Sequence, residues 1–203
     1  MPFGYTGQNQ PKQTVSNSGV FSITDVAELQ SQGKLGGSLE LIAEETFTTS
    51  SAVENTSIQE NKYDVHLLHI VANGSTSMNS GIQFYESGVL ETANVYQYAS
   101  KYGTSTNSFG DTKSTGANRM YTVNFGATYK TGVYIYLYNL GNSSKYSFIT
   151  FQGNQDLNGY HTMFFGGGVL PQASTVDGFR VYLNTGTITG EYKLFGVKQI
   201  WVT

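Results

Sequence analysis

Few side chains in this 203-residue sequence stand at spacings that could carry chemistry. His66 and His69 lie three apart, an interval at which two imidazoles on a helix can reach one metal ion. Residues 63–72 read as a strand instead, and odd spacing on a strand sends side chains to opposite faces. The pair is therefore expected not to share a metal, and His161 has no partner by sequence. Asn154-Gln155-Asp156-Leu157-Asn158-Gly159 follows the first half of a calcium-loop pattern. Its first position is Asn rather than Asp, however, and the twelfth is Phe165, where a bidentate Glu is required. A hairpin turn fits it better. Glu44-Glu45 is the one adjacent acid pair. A glycosidase needs two carboxylates that meet in space, whereas neighbours on a strand face opposite ways, so a solvated edge is expected. With no cysteine, thiolate metal sites, disulfides and Cys nucleophiles are excluded. No nucleotide-binding or hydrolase motif occurs, and Gly166-Gly167-Gly168 has no following helix to hold a phosphate. No catalytic residue, metal or cofactor is expected.

What remains is aromatic. Tyr134, Tyr136 and Tyr138 alternate with Val133, Ile135 and Leu137, and period two places the two sets on opposite faces of one strand. Leu140-Gly141-Asn142-Ser143-Ser144 then supplies turn-forming residues before the apolar run 145–152. Pairing Asn139 with Lys145 sets Ile135 opposite Ile149 and Val133 opposite Phe151. On the other face Tyr138 meets Tyr146 and Tyr136 meets Phe148. One face is aliphatic and the other aromatic, so this hairpin must be covered on both sides, by this chain or by another. Tyrosines can also stack on sugar rings. Large exposed apolar patches are rare on monomers, which favours Tyr134, Tyr136, Tyr138, Tyr146 and Phe148 as an interface, buried under a second layer or a subunit.

The elements that must position these residues are strands. Charged residues make up 12% of the chain against a usual ~25%, so Ser, Thr, Asn and Tyr must form the surface, a composition that suits strands and turns. Short apolar runs are expected as strands at 39–47, 52–58, 63–72, 82–86, 95–102, 119–125, 160–165, 179–184 and 191–202, besides the central hairpin. Within 95–102, Val95, Tyr98 and Tyr102 also fit helical spacing. Asn73-Gly74, Asn158-Gly159 and Thr185-Gly186 mark turns. Many short strands without a long helix predict two packed antiparallel sheets, an all-β sandwich of jelly-roll type over residues 38–203.

Residues 1–37 differ. The first 18 carry Pro2 and Pro11 with few apolar groups and read as an extended arm that needs a partner to become ordered. Ser22 caps a short helix predicted over 25–32, stapled by Phe21 and Val26. Its apolar face, Val26 and Leu29 with Ala27, is too small to stand alone and is expected to dock, with Phe21, as an interface on the sandwich or on a neighbouring subunit. Residues 103–118 are Gly, Ser, Thr and Asn with one large apolar residue, and read as a long surface loop. If that loop binds a ligand, Tyr102 and Phe109 would stack, Asn107 would hydrogen-bond, and Asp111 and Lys113 would add charge. No Lys/Arg cluster exists to bind a phosphate backbone. No run approaches the ~18 apolar residues of a membrane span, and no secretion signal is visible.

Gly190-Glu191-Tyr192-Lys193-Leu194-Phe195-Gly196-Val197-Lys198 resembles the closing strand of β-sandwich virion proteins from tailed bacteriophages, particularly marine and cyanobacterial ones. Asp177-Gly178-Phe179-Arg180-Val181 is similar to the strand before that closure. Thr56-Ser57-Ile58 with Tyr63-Asp64-Val65-His66-Leu67 is similar to the first turn and strand, and residues 19–29 to the leader ahead of such domains. Trp201-Val202-Thr203 extends past the usual end. The resemblance implies a non-enzymatic component located on the virion surface, as capsid decoration or as a tail fibre or appendage engaged in host attachment. It also implies a homo-oligomer, with a trimer favoured, and contacts to other virion proteins through the N-terminal arm. A carbohydrate-binding or glycan-cleaving tailspike-like protein, with a host-surface glycan as partner, is the alternative.

Overall fold

The computed structural model describes Thr24, residues 38–157 and residues 159–198. The chain divides into two units, Met1–Ser38 and Leu39–Thr203. The arm, the helix at 25–32, Phe21, Val26, Leu29 and Trp201 to Thr203 lie outside the described residues. The second unit is built from β1 (Leu39–Ser50), β2 (Ala52–Asn55), β3 (Val65–Gly74), β4 (Met78–Glu86), β5 (Val89–Leu90), β6 (Tyr96–Thr104), β7 (Phe109–Ala117), β8 (Met120–Phe125), β9 (Thr131–Tyr138), β10 (Ser147–Leu157), β11 (Tyr160–Leu170), β12 (Val176–Leu183) and β13 (Ile188–Val197). The segment whose spacing also fitted a helix is strand β6, because its hydrogen bonds run to β11 and β7.

Two antiparallel sheets result. One runs β1-β13-β3-β9-β10-β11-β6-β7; the other runs β2-β12-β4, with β8 and β5 sharing the far edge of β4. The first four strands of the large sheet, facing β2-β12-β4-β8, have the strand order of a jelly roll. Two hairpins are inserted in that order: β6 and β7 between β4 and β8, and β10 and β11 between β9 and β12. Both insertions join the same edge and double the large sheet's width, forming a wing beyond β9. The core lies between the sheets and takes Leu68 and Ile70 from β3, Ile135 and Leu137 from β9, Ile149 from β10, and Ile82, Phe84, Phe179 and Val181 from the facing sheet. Each fully buried Leu, Ile, Val or Phe contributes about 1.5–3 kcal/mol. Buried Tyr96 ties the wing to the core: its hydroxyl accepts from Phe84 N at 2.9 Å and donates to Glu91 O at 3.1 Å.

The central hairpin keeps its sorted faces in a register two residues from the expected one. Tyr138 pairs with Phe148, Leu137 with Ile149, Tyr136 with Thr150, Ile135 with Phe151 and Tyr134 with Gln152. The cause is Leu140. It is fully buried, and Val176 N donates to its carbonyl at 2.8 Å. Drawing Leu140 inward lengthens the connection into two successive turns, Asn142 N to Asn139 O and Lys145 N to Asn142 O. A two-residue shift preserves both faces, because the side-chain period is two.

The expected loop at 103–118 is instead most of a β-hairpin. Phe109–Ala117 forms β7 on the edge of the large sheet, paired with β6. The turn is short: Thr104 N donates to Ser108 O, Asn107 sits at φ 62°, and Ser105 and His161 exchange two hydrogen bonds. An edge strand pairs on one side only and needs few large apolar side chains. Gly110 is a seat for a ring, since a Cβ there would fall 2.4 Å from the Tyr102 ring.

Candidate functional site

The wing and the jelly-roll strands together present one continuous outer face, and strand register places its side chains in rows. The middle row runs Leu41, Phe195, Leu67, Tyr136, Thr150, Gly167, Ala99 and Lys113. Beside it lie Val65, Tyr138, Phe148, Val169 and Gln97. On the other side run Glu44, Lys193, His69, Tyr134, Gln152, Phe165, Lys101 and Asp111. Among the described residues, the only exposed large apolar side chains off the strands of this sheet are Val89, Tyr129 and Tyr146. Tyr134 is 51% exposed, Tyr136 40% and Phe148 42%, whereas Val133, Ile135 and Leu137 on the reverse face are buried. Burial of one face and exposure of the other follows from the alternation.

Local chemistry keeps the rings upright. Tyr136 and Tyr138 stack at 6.4 Å between centroids, and the Tyr138 and Thr150 hydroxyls are 3.0 Å apart. His69 lies against Tyr134 at 4.4 Å and 10° between planes. Burial holds the His69 imidazole below its ordinary pKa, so at neutral pH it adds a third uncharged ring to the row. Next to these rings a groove of about 1180 Å³ opens on the same face, with Gly167 and Ala99 in its floor and Tyr138, Phe148 and Lys113 around it. Gly167 has no room for a side chain: a Cβ would fall 2.8 Å from Ile149 O. The charges sit at the margins in opposite-sign pairs, Lys193 with Glu44 at 3.6 Å and Lys113 with Asp111 at 3.3 Å.

The expected interface residues Tyr134, Tyr136, Tyr138 and Phe148 therefore share one face, with Tyr146, 48% exposed, in the connection just before β10. Of the expected ligand-loop residues, Phe109, Asp111 and Lys113 stand on the same face as the tyrosines, opposite Gly103, Lys101 and Ala99. Phe109 is 82% exposed. Tyr102 points to the inner face beside Phe164, ring centroids 6.1 Å apart, and Asn107 is in the turn. These five do not form one site. Sequence reasoning missed Leu39, Leu41, Met163 and Phe165. Parity counted outward from the Asn158-Gly159 turn would have placed Met163 and Phe165 with Asn154 and Gln152, to which they pair.

The remaining candidates separate as the strand parity requires. His66 is buried with Nε2 2.8 Å from Ile58 O, while His69 is on the outer face. Glu44 and Glu45 pair with Lys193 and Tyr192 on successive, opposite-facing positions. His161 Nε2 is 3.1 Å from Asn154 Oδ1. Among the described residues no group of three or more His, Asp or Glu is placed to hold a metal ion, and no helix is long and apolar enough to cross a membrane. No protein-family model, curated protein or solved structure matches the chain.

Proposed function

We propose that this chain is a non-enzymatic structural protein of a tailed-bacteriophage particle, exposed as capsid decoration or as a tail fibre or appendage, and that it works through assembly contacts. The observation that carries this reading is the open aromatic face of the eight-stranded sheet. The three rows and a fourth beyond them, through Val71, Gly132, Asn154, Met163, Gly103 and Phe109, stand ~6.8 Å apart and run across seven strand spacings of ~4.8 Å, which gives that face roughly 700 Å². That is close to the ~800 Å² per partner of a standard stable interface. The occupant is a second copy of the same chain. Both margins carry both signs of charge, so a symmetric copy meets no block of like charge. A trimer is favoured by the likeness to phage appendages, and in it each copy would divide this face between two neighbours instead of burying it against one.

The particle assignment draws on the sequence resemblance, and the fold supports it. The stretch similar to a closing strand lies along β13, between β1 and β3, and the stretch similar to its predecessor lies along β12. A rigid sandwich with one broad sticky face suits a component that acts by position rather than by turnover. Immunogold labelling of intact virions with an antibody against this chain tests the reading: gold at the head or tail surface is expected. Purified particles that carry none of the protein would contradict it.

A further inference from the structure

A second feature lies on the inner side of the wing, where β10, β11 and β6 leave the jelly roll and β8 packs across them. A pocket of about 350 Å³ opens there, and its lining holds no Asp, Glu, Lys, Arg or His. Gln155 and Thr162, paired across β10 and β11, form its base. Gln155 is 2% exposed and Thr162 4%, yet among the described residues neither amide atom of Gln155 nor the Thr162 hydroxyl has a hydrogen-bond partner. A buried amide left in that state is costly, about 1–3 kcal/mol per unmade group. The chain has nonetheless made room for it: a Cβ at Gly126 would fall 2.8 Å from Gln155 Nε2. Tyr102, Tyr160 and Phe164 add aromatic surface, with Tyr102 and Tyr160 half-buried at the rim.

We infer that this pocket is a binding site for one neutral sugar ring at the end of a glycan. An amide offers two N–H donors and a carbonyl acceptor, and Thr162 and the nearby Asn124 add both kinds of group. Sugar hydroxyls, each donor and acceptor at once, match that set. The aromatic surface matches the apolar face of the ring. The volume is at the small end of ligand pockets, ~300–1,000 Å³, which admits a single ring and excludes an internal stretch of polymer. Absence of charge in the lining excludes a built site for phosphate or a carboxylate. The site is on the opposite side of the large sheet from the assembly face, and its inference does not depend on the particle reading.

Saturation-transfer NMR of the full chain tests it, with methyl glycosides of neutral hexoses and N-acetylhexosamines, sialic acid, adenine and uracil as probes. At least one neutral glycoside is expected to bind and to shift the Gln155 side-chain amide. Gln155→Leu is expected to weaken it about tenfold or more. Tyr160→Ala, at the rim and outside the core, is expected to weaken it several-fold with the remaining spectrum unchanged, which keeps the test sharp if the buried variant fails to fold. Failure of every neutral glycoside to bind, equal binding by a folded Gln155→Leu chain, or preference for a nucleobase or for sialic acid would overturn the assignment.

Discussion

At the scale of single residues, parity along a strand decided most of what could be known in advance. His66 and His69 parted to opposite faces, and one became core while the other became part of an aromatic platform. His66 now makes a testable statement about pH. Burial, only partly offset by its hydrogen bond to the Ile58 carbonyl, holds its pKa below the ordinary value near 6.5. Among the described residues Nδ1 has no partner to receive a second proton's N–H. The unfolded chain therefore binds a proton more readily than the folded one, so stability is full above about pH 6.5 and falls as pH drops below it. Thermal melts at pH 7 and pH 5 should show the lower Tm at pH 5, and His66→Gln should flatten that part of the profile. Gln155, in contrast, could not be read from sequence. It sits in a run that looked like a turn, and its burial arises only when β8 closes over a wing that no local pattern announces.

At the scale of elements, strands with large alternating side chains were legible and the edge strand was not. β7 hides its regularity in Thr112 and Ser114 against Asp111 and Lys113, because an edge pairs once and needs little apolar cover. Gly110 carries a consequence. Gly110→Val would press into the Tyr102 ring, and overpacking of this kind costs about 1–3 kcal/mol. A lower denaturation midpoint is expected, partly restored when Tyr102→Ala is added. Replacing residues 104–116 by a Gly-Asn turn would remove β7 and bare the hydrogen-bonding edge of β6. Lower stability and aggregation are expected, read by melting temperature and light scattering. Unchanged behaviour would mean that β7 adds nothing to the sheet.

At the scale of the whole molecule, the class of fold follows from composition and period, since a chain so poor in charge and so rich in short alternating runs must pair strands. The jelly-roll order itself, and the joining of two insertions on one edge, depend on long-range pairing that no short window contains. The hairpin register shows the same limit in miniature: its faces were fixed by period two, while its two-residue offset was fixed by Leu140 entering a core built from distant strands. What the assembled sheet exposes is the molecule's main physical problem, an aromatic face too broad to leave in water. Burial against another copy is the proposed solution, with Tyr136 at its centre. Loss of a central interface tyrosine typically costs about 2 kcal/mol or more. Sedimentation equilibrium of the wild-type chain and of Tyr136→Lys at micromolar concentration tests this most directly. Expected is a wild-type oligomer, with a trimer favoured, and a Tyr136→Lys chain shifted toward monomer with an unaltered far-UV circular dichroism spectrum. A wild-type chain that sediments as a monomer would contradict it.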